Sequence, residues 1–311
     1  MRATPANASA AVPTSAVRRL FRAIISERSR AWLGVFMSRC RVGLCMRLLS
    51  LLTVPETVRI KERLTPTGFL DYPHSNIAMS LDSSIQMGRL IACAKEPETV
   101  AWIEAFLRPG DVFYDIGANV GAYSFVAHAA ARDNCTVYAF EPGFSTFAAL
   151  SRNVFLNRCQ GRIIPLHLAL SDETKMTTFH YSSIIAGDAL HSLGQPPMSG
   201  PEGQPQFVQP IPSYRLDDLV SQFALPPPNL IKLDVDGSES SVLRGAIRTL
   251  AHPRLRSILV EVDEEQDQSA GIRRSLEGLG LRLQCRHPRG QSKTVANCIF
   301  VRSDASGGTH G

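Results

Sequence analysis

No two cysteines stand in C-x-x-C spacing, and the seven present (Cys40, Cys45, Cys93, Cys135, Cys159, Cys285, Cys298) are odd in number. That pattern argues against a zinc centre or a complete disulfide set. Several of them sit inside apolar segments and read as small buried hydrophobes in a reducing compartment, so a cytoplasmic protein is expected. No apolar run reaches the roughly 18 uninterrupted residues of a membrane span. The most apolar stretch, AWLGVFMSRCRVGLCMRLLSLLTV, is interrupted by Arg39, Arg41 and Arg47. A secretory signal fits poorly for the same reason. There is no internal repeat, no G-x-G-x-x-G dinucleotide fingerprint and no phosphate-cradling loop ending in Lys-Ser/Thr.

Basic residues are scarce where a nucleic acid would need them. The 311-residue chain carries +5, but residues 1–60 hold ten arginines against Glu27 and Glu56, a net of +8. The body is therefore left at −3, the wrong sign for neutralising phosphates, and no nucleic-acid partner is expected. Residues 1–16 are small, polar and proline-broken and are expected to be disordered, as is the tail 304–311. Residues 17–94 form a helical, basic extension and lead-in. Its segment 17–54 reads either as a cap on the body or as a basic helix making weak contact with an anionic membrane.

What is present from residue 95 to 303 is an alternation of strands and helices, which predicts a parallel sheet covered on both faces. Strands are expected at 112–117, 136–142, 162–172, 176–182, 207–214, 229–237, 256–263, 281–286 and 295–302, the last two as an antiparallel edge pair, and a helix is expected over 239–250. The stretch 187–210, rich in Gly, Pro and Gln, is expected to be a flexible loop over the site. Acids recur at the carboxyl ends of successive strands: Asp115, Glu141, Asp172, Asp234 with Asp236, and Glu261 with Asp263. In open α/β sheets ligands bind beyond those ends. The turn after the first of these strands spaces its glycines as Gly117-Ala118-Asn119-Val120-Gly121 with an acid ahead of them. An acid there would repel a pyrophosphate and suits a ligand carrying positive charge.

Five ordered blocks carry a family resemblance: DIGANVG at 115–121, AFEP at 139–142, LDD at 216–218, IKLDVDGSE at 231–239 and NCIF at 297–300. Together they resemble the FkbM-type methyltransferases over about residues 95–302. The resemblance implies the Rossmann-like class I methyltransferase fold, a mostly parallel seven-stranded sheet with helices on both faces, and S-adenosyl-L-methionine as cofactor. It also implies oxygen methylation of a small hydroxylated acceptor such as a sugar or secondary metabolite. Nitrogen methylation, and a non-catalytic binding or interaction module on the same fold, are the alternatives.

The residues fit that cofactor. Amides at Asn119 to Gly121, at a helix start, suit its carboxylate, and Gly117 and Gly121 allow close approach of the main chain. Asp115 suits the ammonium and Glu141 the ribose hydroxyls. Asp172 is assigned to the adenine amino group by analogy with the acid after strand three in this fold. Each has a plainer reading: helix cap for Asp115 or Asn119, solvated strand end for Glu141, turn residue for Asp172.

Methyl transfer is a direct displacement, so catalysis consists largely of alignment, helped by a group that takes the acceptor's proton. Asp234, Asp236 and Glu261 are the candidates, with Lys232 placed to pair with an acid. Glu239 is a further candidate whose plainer role is first-turn helix stabilisation. His191, in the loop region, is open to two readings: facing substrate or, as is commoner for a lone loop histidine, exposed to solvent. No metal is expected.

Overall fold

In the strand Val112–Ile116 all five side chains are buried, which requires cover on both faces of the sheet. The computed structural model describes residues 27–64, 66–195, 204–265, 269–290 and 294–303. The expected disorder at 1–16 and 304–311 lies outside them, as does the centre of the loop at 187–210.

The chain divides into two compact units, Met1–Leu64 and Thr65–Gly311. The first holds helices α1 (Glu27–Leu49) and α2 (Val54–Arg63). Helix α2 starts where the Glu56 carboxylate accepts from both the amide and the hydroxyl of Thr53, satisfying donors that a helix start leaves open. Along α1, Val42, Leu44, Met46 and Leu48 are exposed together with the arginines around them. No helix among the described residues is long and apolar enough to cross a membrane.

The second unit begins earlier than the expected boundary at 95. Its lead-in is a hairpin of β1 (Thr67–Phe69) and β2 (Ala78–Ser80) followed by the short helices α3 (Ser84–Met87) and α4 (Ala92–Lys95). Then come α5 (Pro97–Phe106), β3 (Val112–Ile116), α6 (Ala122–Ala130), β4 (Thr136–Phe140), α7 (Phe144–Leu156) and β5 (Ile163–Leu166). β6 (Ala169–Leu170), β7 (Lys175–Tyr181), β8 (Ser192–Leu193), β9 (Phe207–Tyr214) and α8 (Leu216–Gln222) follow. The chain closes with β10 (Leu230–Leu233), α9 (Glu239–Arg244), α10 (Ile247–Ala251), β11 (Ser257–Asp263), α11 (Ser269–Gly278), β12 (Leu281–Pro288) and β13 (Val295–Arg302).

Seven strands form the main sheet in the order β12-β13-β11-β10-β3-β4-β5. All neighbours are parallel except that β13 runs antiparallel to both β11 and β12, as the edge-pair expectation held. Period-2 alternation sorts the side chains. Phe113 joins the apolar cluster of α5, α6 and α7, with Trp102, Phe125, Val126 and Leu150. Val112, Tyr114 and Ile116 join the opposite cluster with Leu216, Val242, Ile272 and Leu276.

Two local expectations are revised. The segment 162–172 is two strands, and the shorter one, β6, leaves the main sheet for a separate four-stranded sheet, β6-β9-β7-β8. Within that sheet 175–181 and 207–214 pair antiparallel, as expected. The single helix expected over 239–250 is broken at 245–246. There the Gly245 carbonyl accepts from the Asp217 amide, and the buried Asp217 carboxylate accepts from Arg248 and Thr249 at the start of α10.

Candidate active site

Strand order reverses between β3 and β10: β4 and β5 extend one way, β11 and β13 the other. Such a switch point opens a crevice at the strand ends. Its floor is tight. A Cβ at Gly117 would lie 1.8 Å from the Asp234 carbonyl oxygen, and the residue has φ +80, so only glycine lets β3 and β10 end this close together. Gly121 answers to a different demand. It has φ +94, and a Cβ there would meet Leu150 and Phe125 of the core; it packs α6 against α7 and lines neither cavity at the crevice.

Two cavities share Gly117, Asn119, Asp234, Arg89 and Arg289. The first runs along Phe140, Glu141 and Pro142, past Leu168 to Leu170, to the wall formed by Phe179, His191 and Leu193. The second lies between the glycine loop and the lead-in, at Lys95, Glu96, Tyr123 and Lys232. The loop is pinned by the buried Asn153 of α7, whose Oδ1 accepts from the Ser80 amide and whose Nδ2 donates to the Val120 carbonyl, 2.8 and 2.9 Å. Sequence reasoning passed over Asn153 and Arg89; an asparagine inside a helix, where its propensity is poor, was the available signal.

Glu141 is buried and lines the first cavity. It accepts from the Asn119 amide at 3.0 Å and the Gly143 amide at 2.8 Å. Burial outweighs those bonds and pushes its carboxyl up to about 7. Asn119 is left-handed at φ 51, which asparagine tolerates, and its Nδ2 donates to the Asp188 carbonyl at 3.0 Å.

Asp115 is wholly buried and lines neither cavity. Its Oδ2 accepts from Ser124 at 2.6 Å, while Oδ1 is buried without a hydrogen-bond partner. Burial pushes its carboxyl up, against the nearby Lys232. Lys232 is 2% exposed and donates to Asp234 at 2.9 Å. Burial opposes its charge, but Asp234, Asp115 and Glu96 outweigh burial and raise the ammonium. The Asp234 carboxyl is likewise pushed up by burial and pulled further down by Lys232 and Arg289, so it stays ionised. The expected pairing of Lys232 with an acid is what the structure contains.

The remaining acids separate. Asp236 lines the first cavity at φ 52, and its Oδ2 accepts from the Leu190 amide at 2.7 Å. Glu261 lines neither cavity and is engaged by Arg289. Oxygens of Asp234, Asp236 and Glu261 lie within 4.8 Å of one another, a spacing open to a metal, but Arg289 already brings a cation to Asp234 and Glu261. Arg289 is itself held by Glu96 at 2.9 Å, and Glu96 by Asn297, which accounts for the asparagine of the NCIF block. Glu239 is buried at the start of α9 and accepts from the Val235 and Gly237 amides.

Beyond Gly121, Asp115 and Glu261, which line neither cavity, one more site expectation is corrected. Asp172 does not line the cavities: Ser241 donates to its Oδ1 at 2.7 Å and Arg244 to its Oδ2 at 2.9 Å, so it ties β6 to α9. Of the two readings of His191, the structure favours the one that faces the site: it is half-buried and lines the first cavity.

The family profile described as "Methyltransferase FkbM domain" matches residues 115–283, more than half of the chain. The chain belongs to the FkbM methyltransferase family. It is thereby an S-adenosylmethionine-dependent methyltransferase with a Rossmann-like fold. This FkbM-family chain is 31% identical over 201 residues to the 31-O-demethyl-FK506 methyltransferase FkbM of Streptomyces tacrolimicus, covering 56% of this chain and 74% of that one. It is 32% identical over 152 residues to the hexuronic acid methyltransferase AglP of Haloferax volcanii, covering 49% and 56%. Among solved structures, a methyltransferase FkbM from Methylobacillus flagellatus KT is similar with a TM-score of 0.46 at 13% identity, covering 71% of this chain and 56% of that one.

Proposed function

We propose that this protein methylates a hydroxyl oxygen on a small-molecule acceptor of the sugar or secondary-metabolite class. The observation that carries the reading is the shared floor of the two cavities, where Gly117, Asn119 and the ionised Asp234 meet with Glu141 on one side and Arg89 and Lys95 on the other. That set suits a ligand that is cationic at one end, carries a diol in its middle and ends in a flat ring. The substrates in the names of the two relatives, 31-O-demethyl-FK506 and hexuronic acid, support small-molecule acceptors.

S-adenosylmethionine, when bound, supplies a methyl carbon activated by a positively charged sulfur. The residues of this chain do the rest. Glu141, once ionised, accepts the ribose hydroxyls. Phe140, Pro142 and Leu168 to Leu170 form the slot for the adenine, in place of Asp172. Asp234, kept charged by Lys232 and Arg289, receives the ammonium, while Asp115 stands behind Lys232 rather than on the ligand. Arg89 and Lys95 take the carboxylate. Asp236 holds the 188–191 turn at the acceptor side, and Glu261 steadies Arg289.

Calorimetric titration with S-adenosylhomocysteine, followed by transfer of a radiolabelled methyl group to a panel of glycosides and hydroxylated macrolides, tests the reading. Binding together with turnover of a hydroxylated compound is expected. Absence of binding contradicts it, and turnover confined to amines would replace oxygen with nitrogen as the acceptor atom.

A further inference from the structure

On the wall that Phe179, His191 and Leu193 give the first cavity, His191 is the polar side chain. Its ring centroid lies 5.5 and 5.4 Å from those of Phe179 and Tyr181, so packing holds its plane. One edge of the imidazole meets Ser182. The Ser182 main-chain N–H lies 3.3 Å from Nδ1 and donates to it, since an amide N–H can only donate. The Ser182 hydroxyl, 3.1 Å from Nδ1 and 2.7 Å from the Ala189 carbonyl, has one proton for two acceptors, and either choice leaves Nδ1 accepting. Burial holds the imidazole below the usual histidine range, opposed by Asp188. At neutral pH the ring is therefore uncharged and its one proton sits on Nε2. That N–H has no hydrogen-bond partner among the described residues and is absent from the buried unpartnered atoms, so it is free to donate where the ring lines the cavity.

We propose that His191 is a specificity-determining residue that selects the methyl acceptor through a donated hydrogen bond. Its Nε2–H binds an acceptor oxygen that offers only lone pairs (a ring, ether or carbonyl oxygen) beside the hydroxyl to be methylated. Ser182 is the positioning residue, its amide fixing the tautomer. The inference rests on the methyl-transfer reading and names what the far wall of the same site recognises.

The charged groups around the cavity leave this task to the imidazole. Glu141, Asp188, Asp234 and Asp236 line the same cavity, but an ionised carboxylate can only accept. Arg89 spends Nε and Nη2 on the Gly187 carbonyl, at 2.9 and 2.7 Å. Arg289 is engaged by Glu96, Asp234 and Glu261. A wall that is apolar at Phe179 and Leu193 and carries one donor complements the edge of a glycoside or macrolide, where C–H surface alternates with ether and carbonyl oxygens. A protonated amine fits that wall poorly, because it would set its own N–H against the Nε2–H and leave both donors without an acceptor.

The test is long-range proton–nitrogen correlation NMR on the full chain with nitrogen-15 histidine and saturating S-adenosylhomocysteine at pH 7.5, the signal assigned with His191→Gln. A protonated Nε2 with a pyridine-like Nδ1 is expected, and Ser182→Ala, which keeps the amide, should retain that tautomer. A wild-type ring protonated on Nδ1, or on both nitrogens, overturns the proposal and leaves the methyltransferase reading standing. Failure of the wild type to bind S-adenosylhomocysteine overturns both. Titration with methyl glucoside, methyl glucuronide and erythromycin should then shift the Nε2 resonance with at least one of them, and no shift with any overturns the proposal. On a compound that is turned over, His191→Phe should raise KM roughly five- to tenfold, the weight of one neutral hydrogen bond. Its kcat should stay within about threefold, and His191→Gln, which restores a donor, should recover part of the loss. An unaltered KM in His191→Phe would reject the role.

Discussion

The two halves of the cleft are built on different principles. The half around Gly117, Glu141 and Asp234 rests on the ends of buried parallel strands, where each backbone position is fixed by its neighbours in the main sheet. The half around Asp188, His191 and Leu193 rests on a turn and a two-residue strand against the smaller sheet. The first half therefore offers preset charges and close backbone contacts, suited to one invariant ligand. The second offers an aromatic wall and a turn held by the Asp236–Leu190 and Asn119–Asp188 bonds, a surface that can differ between acceptors without disturbing the sheet.

Breaking the first half should cost the most. Lys232→Met leaves Asp115 and Asp234 buried without their shared cation, and an unpaired buried charge costs about 3–5 kcal/mol. Chemical denaturation should read a loss of that order, and a change below about 1 kcal/mol would mean that the pair is solvated. Glu141→Gln retains the shape but removes the charged acceptor, and calorimetry should find S-adenosylhomocysteine binding weakened by about 1–3 kcal/mol.

The pH dependence has a definite sign. In the free protein burial raises Glu141 from its ordinary 4.5 to about 7, whereas binding a diol calls for the ionised form. Below about pH 7 binding must first remove the proton, so affinity should fall as pH falls, by up to about tenfold per unit. For the free fold the sign is opposite: a raised carboxyl stabilises most below about 4.5 and loses that contribution as pH rises through 7. Affinity that is flat from pH 5.5 to 8 would separate Glu141 from the ligand.

Smallest of all is the expected effect of Asp172→Asn. Its bond to Arg244 is part-exposed, and such pairs contribute about 0–1 kcal/mol. Stability should change by no more than that, and inhibitor affinity should stay the same. A marked loss of affinity would restore Asp172 to the adenine site.

The same contrast explains which features were legible in the sequence. Strand ends bearing Asp115, Glu141 and Asp234 were legible because the apolar runs ahead of them are short and bounded, and an acid ending such a run stands out. The parallel sheet followed from the alternation of strands and helices, and the antiparallel edge pair from two strands with no helix between them. Asp172 was misread because the chain leaves the main sheet after Leu166, and a two-residue strand such as Ala169–Leu170 has no periodicity to announce it. The half-burial of His191 was not legible because its neighbours in space, Phe179 and Tyr181, are ten or more positions away in sequence. The split of 239–250 depended on Asp217, whose capping contacts span some thirty residues.

The central claim is that the junction of β3, β4 and β10 holds the methyl donor. A crystal structure of the full chain with S-adenosylhomocysteine tests it most directly. Ribose hydroxyls on Glu141, the amino-acid end over Gly117 beside Asp234, and adenine between Pro142 and Leu168 are expected. Ligand density elsewhere, with Glu141 still bound only to the Asn119 and Gly143 amides, would contradict it.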